Sequence, residues 1–125
     1  MLNILLVAIG GATGSVARYL TGHMTLKLFG PSFPWGTLVV NTIGSLAIGI
    51  FAELIARRFD ASHELRLLII TGFLGGFTTF SAFSLDVAVM VERGAILPAL
   101  AYVTASMLVS LLAVFAGLAL MRALL

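Results

Sequence analysis

The chain has 125 residues, of which 61% are hydrophobic and 10% charged, with a net charge of +2 and a mean hydropathy of +1.18. These values exclude an ordinary soluble domain and leave no room for nucleotide or nucleic-acid machinery. The basic residues are scattered rather than patched. There is no Cys, so disulfide and thiol chemistry are excluded.

Four stretches carry no charge: Met1 to Ala17, Phe29 to Ala52, Leu67 to Leu85 and Ile96 to Met121. Each is long enough to cross a lipid bilayer as a helix. The expectation is one all-α integral membrane domain, residues 1–125, with four transmembrane helices. The first stretch lacks a basic leader and a small-residue cleavage site, so it reads as a retained helix and not a signal peptide. Four spans put Arg57, Arg58, Arg66 and Arg122 on one side and Arg18, Lys27 and Arg93 on the other. So small a bias declares no orientation, and insertion both ways is expected. A subunit of this size encloses little, so an oligomer is expected, most simply a two-fold dimer. With both orientations present the dimer is antiparallel.

Helix 1 is expected from about Leu2 to the low twenties or a little beyond. Gly10 and Gly14 form a GxxxG face that suits close helix packing. Arg18, one turn further on, either snorkels to the interface or lines a vestibule that draws anions in. His23 to Trp35 holds Gly30, Pro31 and Pro34 and reads as helix end plus loop. Trp35 suits an interfacial anchor.

Helix 2 begins near Pro34. Thr37, Asn41 and Ser45 recur every four residues and share a face. An amide inside the membrane is costly when unpaired, so Asn41 is either an interhelical hydrogen-bonding group or an N–H donor to an anion. Arg57 to Arg66 is a hydrated loop in which Ser62 is a candidate helix cap. His63 has no second ligand at a useful spacing for a metal.

The third span contains Thr71 to Ser84, TGFLGGFTTFSAFS. Gly75 and Gly76 each cost a helix about 1 kcal/mol relative to Ala, and Thr78 and Thr79 add β-branched crowding. The expectation is a break at mid-membrane depth, tolerated only in protein or against a wet cavity. Interrupted membrane helices point to binding sites, although Gly72 and Gly76 also suit plain packing. A break would expose carbonyls from about Gly75 to Thr78, suited to a hard cation such as Na⁺. Phe80 and Phe83 share a face, and an aromatic edge carries partial positive charge that an anion can face. Thr79 and Ser81 lie beside them. Asp86 ends the run, with structural and functional roles both open.

Helix 4 follows Gly94 and Pro98. Tyr102, Ser106 and Ser110 recur every four residues as a hydroxyl stripe. Hydroxyl and amide donors replace an ion's lost water without trapping it, as conduction requires.

These motifs carry a resemblance. Trp35 to Asn41 (WGTLVVN), Thr71 to Ser84 and the Tyr102, Ser106, Ser110 spacing resemble the Fluc (CrcB) family of fluoride channels over essentially the whole chain. The resemblance implies an antiparallel dual-topology homodimer of four-helix subunits with two pores in a bacterial-type inner membrane. It implies passive, selective fluoride export that lowers fluoride toxicity. By the family's pattern, Phe80, Phe83, Asn41, Tyr102, Ser106 and Ser110 match the ion path, beside Thr79, and Arg18 matches the vestibule arginine. A structural Na⁺ at the dimer centre would be held by backbone carbonyls matching Gly75 and Thr78. The chain departs from the pattern at Asp86, where a glutamate is expected, and at Ala82, where a threonine or serine is expected.

Competing classes fit less well. A small proton-coupled multidrug exporter needs a membrane-embedded carboxylate, and helix 1 has no Asp or Glu. A structural subunit of a larger complex explains the GxxxG seams but not the aligned polar stripes. No carboxylate pair, Ser-His-Asp set or ligand cluster is present, so the chain reads as a non-enzyme.

Overall fold

The computed structural model describes residues 1–125 and contains helices but no strand. Helix α1 spans Leu2–Phe29 and α2 spans Trp35–Arg58. A composite helix α3, residues 63–77, joins an α-helical turn at His63–Leu65, a π-helical segment at Arg66–Leu74 and a last turn at Gly75–Phe77. Helix α4 spans Phe80–Glu92 and α5 spans Ile96–Leu124. The chain therefore has four helical stretches long and apolar enough to cross a membrane, α3 and α4 together forming one of them.

Sequence chemistry accounts for the helix ends. Helix α1 runs further than its loop-like composition suggests, because nothing interrupts it before Gly30. There a φ of 79° stops it, a conformation that glycine adopts without strain. Pro34 precedes the first turn of α2, and Ser62 Oγ accepts the Leu65 N–H at 3.3 Å. Gly94 turns the chain between α4 and α5, again at a φ of 79°. Asp60 and Ala61 both hold positive φ in the hydrated loop.

Glycines set the packing. Helices α1 and α3 run side by side through Gly10, Gly14, Gly72 and Gly76. A Cβ on Gly14 would collide with the Phe73 carbonyl, and one on Gly10 with the Leu68 carbonyl. Helices α2 and α5 meet through Gly49 and Gly117, where a Cβ on either would strike the other helix's backbone. Close backbone approach through small residues is how membrane helices associate without a hydrophobic drive between them. At one end of this pair, Glu53 accepts from Arg122 Nε at 2.8 Å and from Arg57 Nε at 2.9 Å. The two helices are thus parallel and in fixed register.

Much of the outer surface is apolar. Leu97 is 78% exposed and Ile4 71% exposed, with Leu112 and Phe115 also exposed. Such a surface suits lipid tails or another apolar subunit face, as a chain in a bilayer requires.

Candidate functional site

The polar residues meet where α3 gives way to α4. Thr78 (φ −83°, ψ 159°) and Thr79 (φ −153°, ψ 123°) are extended. The sequence spreads the weak point over Gly75 to Thr79; Gly75–Phe77 is α-helical and the extended part is Thr78-Thr79. Two features hold that pair. Gly44 of α2 has no side chain, and the Thr78 methyl occupies the space a Cβ would need. Asn41 grips Thr79 from both sides: its Nδ2 donates to the Thr79 carbonyl at 2.9 Å, and the Thr79 N–H donates to Oδ1 at 2.8 Å. The backbone donor fixes which way the amide faces. One Nδ2 hydrogen is used in this exchange and the other is not.

Side chains also redirect the amides that would otherwise close the helix. The Thr79 N–H goes to Asn41 and not to the Gly75 carbonyl. The Ala82 N–H goes to Thr79 Oγ1 at 3.1 Å and not to the Thr78 carbonyl. Gly75 and Thr78 thus each lose the donor that helical geometry would supply. The Gly76 carbonyl accepts Arg18 Nε at 3.0 Å. The Gly75 and Thr78 carbonyls are left open as neutral oxygen acceptors, the donor type that hard cations take.

A cavity of about 290 Å³ opens between α2, the extended pair, α4 and α5. Asn41, Thr79, Phe80, Phe83, Ser106 and Ser110 all line it. So do Thr78, Ser45, Ile48, Met107 and Leu111. Phe83 is buried, while Phe80 is 75% exposed, and their ring centroids lie 5.6 Å apart. The hydroxyls of Ser106 and Ser110 are buried and have no hydrogen-bond partner in the protein.

Tyr102 stands apart from this wall. It is fully buried behind Phe83, ring centroids 5.1 Å apart, and its hydroxyl donates to Asp86 Oδ2 at 2.9 Å. Asp86 and Arg18 line a second cavity of about 220 Å³ with Thr37 and Ala82, and Thr79 borders both cavities. The sequence puts Ser45 on the Thr37 and Asn41 face without assigning it to the path, and the apolar Ile48, Met107 and Leu111 carry no signal there. His23 stacks on Tyr19, ring centroids 6.4 Å apart, away from the site.

Four apolar spans, with polar side chains gathered in a groove among them, define a multi-pass α-helical membrane protein. Residues 5–118 match the family model described as CrcB-like protein, Camphor Resistance (CrcB), and the chain belongs to that family. It is 62% identical over 124 residues to a protein of Rhizobium etli, covering 99% of each chain. It is 64% identical over 124 residues, with the same coverage, to one of Rhizobium leguminosarum bv. trifolii. It is 55% identical over 125 residues, all of both chains, to one of Chelativorans sp.. Each of these relatives is named fluoride-specific ion channel FluC.

Proposed function

We propose that this chain is a fluoride-selective channel that passively releases fluoride from the cytoplasm and so lowers its toxicity. The observation that carries the reading is the end-to-end similarity to relatives bearing the name fluoride-specific ion channel. The cavity supplies a compatible chemistry. Asn41, Ser106 and Ser110 offer neutral donors, and Phe80 and Phe83 offer polarisable ring edges. Neutral groups bind an anion strongly enough to strip its water and weakly enough to let it leave. Thr79 and Tyr102 support this wall, one as the partner of Asn41 and the other from behind Phe83. Arg18, beside the second cavity, provides the positive potential that gathers anions. No catalytic step enters, and the chain acts as a channel and not an enzyme.

The functional unit in this reading is an antiparallel, dual-topology homodimer in the bacterial inner membrane, with two pores. The nearly even distribution of Arg and Lys between the two faces favours insertion both ways, and the exposed apolar surface is available for a subunit contact. The Gly75 and Thr78 carbonyls would hold a Na⁺ at the subunit contact, where its charge would balance the negative ends of those carbonyl dipoles.

The test is fluoride efflux from liposomes containing purified protein, followed with a fluoride electrode beside a chloride control. Rapid fluoride loss with little chloride loss is expected. Folded protein that releases no fluoride would overturn the proposal.

A further inference from the structure

Several hydroxyls in the helices of this protein bond within their own helix. Thr13, Thr21, Thr78 and Ser84 each donate to the carbonyl four residues back, at 2.8 to 2.9 Å. That bond satisfies a membrane-embedded hydroxyl within its own helix. Three buried hydroxyls have no partner in the protein: Ser106, Ser110 and Thr42. Two of them line the cavity. The third belongs to no polar stripe, because Thr37, Asn41 and Ser45 form a different face of α2.

The register of α2 against α5 relates Thr42 to Ser110. Gly49 and Gly117 touch, and Glu53 binds Arg122 beyond them, so the helices run parallel. Thr42 lies seven residues before Gly49, and Ser110 seven residues before Gly117. Seven residues fall about 20° short of two full turns, so each residue shares the face of its glycine. Thr42 and Ser110 therefore face the same seam at the same height, about 10 Å from the glycine contact. They do not bond each other. A buried hydroxyl left unpaired is costly, and a small site between two polar groups is where proteins hold a single small partner.

We infer that Thr42 is a positioning residue of the ion path, joined to Ser110 through one small hydrogen-bonding occupant, either water or fluoride, in the α2–α5 seam. The occupant satisfies Thr42 and orients the Ser110 hydroxyl at the cavity wall. This rests on the channel reading for its consequence in flux, but the link between the two hydroxyls stands on the register alone.

The experiment is a double-mutant cycle with Thr42→Val and Ser110→Ala, read by fluoride flux and by thermal melting in detergent, with Thr42→Ser as the conservative control. Val keeps the shape of Thr and removes only the hydroxyl. Thr42→Val is expected to lower flux about three- to tenfold, the effect of one hydrogen bond. Thr42→Ser retains most of the flux. On the Ser110→Ala background the further change falls below about twofold, since coupled residues are not additive. A raised half-saturating fluoride concentration assigns the occupant as fluoride. A lowered maximal flux at unchanged half-saturation assigns it as water. Unchanged flux with a higher melting temperature in Thr42→Val would mean an unoccupied seam and would overturn the inference. If the wild-type protein conducts no fluoride, the channel reading fails separately. The melting cycle then decides alone: coupling of the two substitutions supports the link and additivity overturns it.

Discussion

Asn41 and Thr79 exchange two hydrogen bonds, amide to carbonyl at 2.9 Å and backbone N–H to amide oxygen at 2.8 Å. A side chain of α2 thereby takes the place of the missing helical partners at the extended pair. Asn41 thus holds the backbone and faces the cavity with the same group.

That double role predicts different outcomes for two substitutions. Asn41→Ala leaves a backbone N–H and a carbonyl without partners, costing about 1–3 kcal/mol for each; its melting temperature should fall with its flux. Asn41→Asp keeps the acceptor for Thr79, but sets a negative charge against the Thr79 carbonyl and the cavity. Fluoride flux should fall at least tenfold while Asn41→Asp remains folded. Flux assays and melting curves on both variants check this.

Phe83 and Phe80 should separate in the same way. Phe83 is buried against Tyr102, while Phe80 is largely exposed. Replacement by Ile removes the ring edge in both. Phe83→Ile should slow flux and cost about 1–3 kcal/mol from imperfect refilling. Phe80→Ile should slow flux with stability changed by less than about 0.5 kcal/mol. Unchanged flux in both would remove the rings from the path.

Ser106 has no hydrogen bond within the protein to lose. Ser106→Ala is therefore expected to keep stability within about 1 kcal/mol and yet lower fluoride flux. Loss of stability without loss of flux would make it a packing residue.

Ala61 holds a φ of 53° in the loop before α3, a region that costs a non-glycine residue about 1–2 kcal/mol. Ala61→Gly should stabilise the protein by up to about 1 kcal/mol, after the entropy glycine adds to the unfolded chain. Flux should be unchanged, because no residue of that loop lines the cavity.

If Na⁺ is held by carbonyls of Gly75 and Thr78, replacing external and internal Na⁺ by a bulky organic cation should lower the melting temperature and the dimer fraction. Substituting side chains at Thr78 should matter less, since backbone oxygens hold the ion. Cross-linking and melting curves in the two salts check both parts.

Much of this was legible in the sequence because lipid imposes simple rules. Charge-free runs of bilayer length gave the four spans, and four-residue spacing put Asn41 with Ser45 and Ser106 with Ser110. Less was legible where an outcome depends on a neighbouring helix. The sequence spreads the break over Gly75 to Thr79 without saying which residues leave the helix; they are Thr78 and Thr79, because Gly44 makes room and Asn41 supplies partners there. The sequence also set Tyr102 in line with the serines. The structure turns its hydroxyl to Asp86, because a buried phenol finds an acceptor and no serine provides one. Thr42 was invisible for a similar reason: only the contact of Gly49 with Gly117 tells which hydroxyls share a seam.

That glycine contact has a mechanical side. With backbone against backbone at Gly49 and Gly117 and the Glu53–Arg122 bond beyond them, α2 and α5 are pinned at that end, and any relative tilt is felt most at the far end. A relative tilt of about 5° moves the helices by only a fraction of an ångström near the pin, but by about 1 Å at Ser110, some 10 Å away. The glycine contact therefore acts on the Ser110 wall of the cavity from outside it, since neither Gly49 nor Gly117 lines it. A bulkier residue at Gly117, whose Cβ would strike the Leu46 carbonyl, would push α5 off α2 and shift the Ser110 wall without altering any cavity side chain.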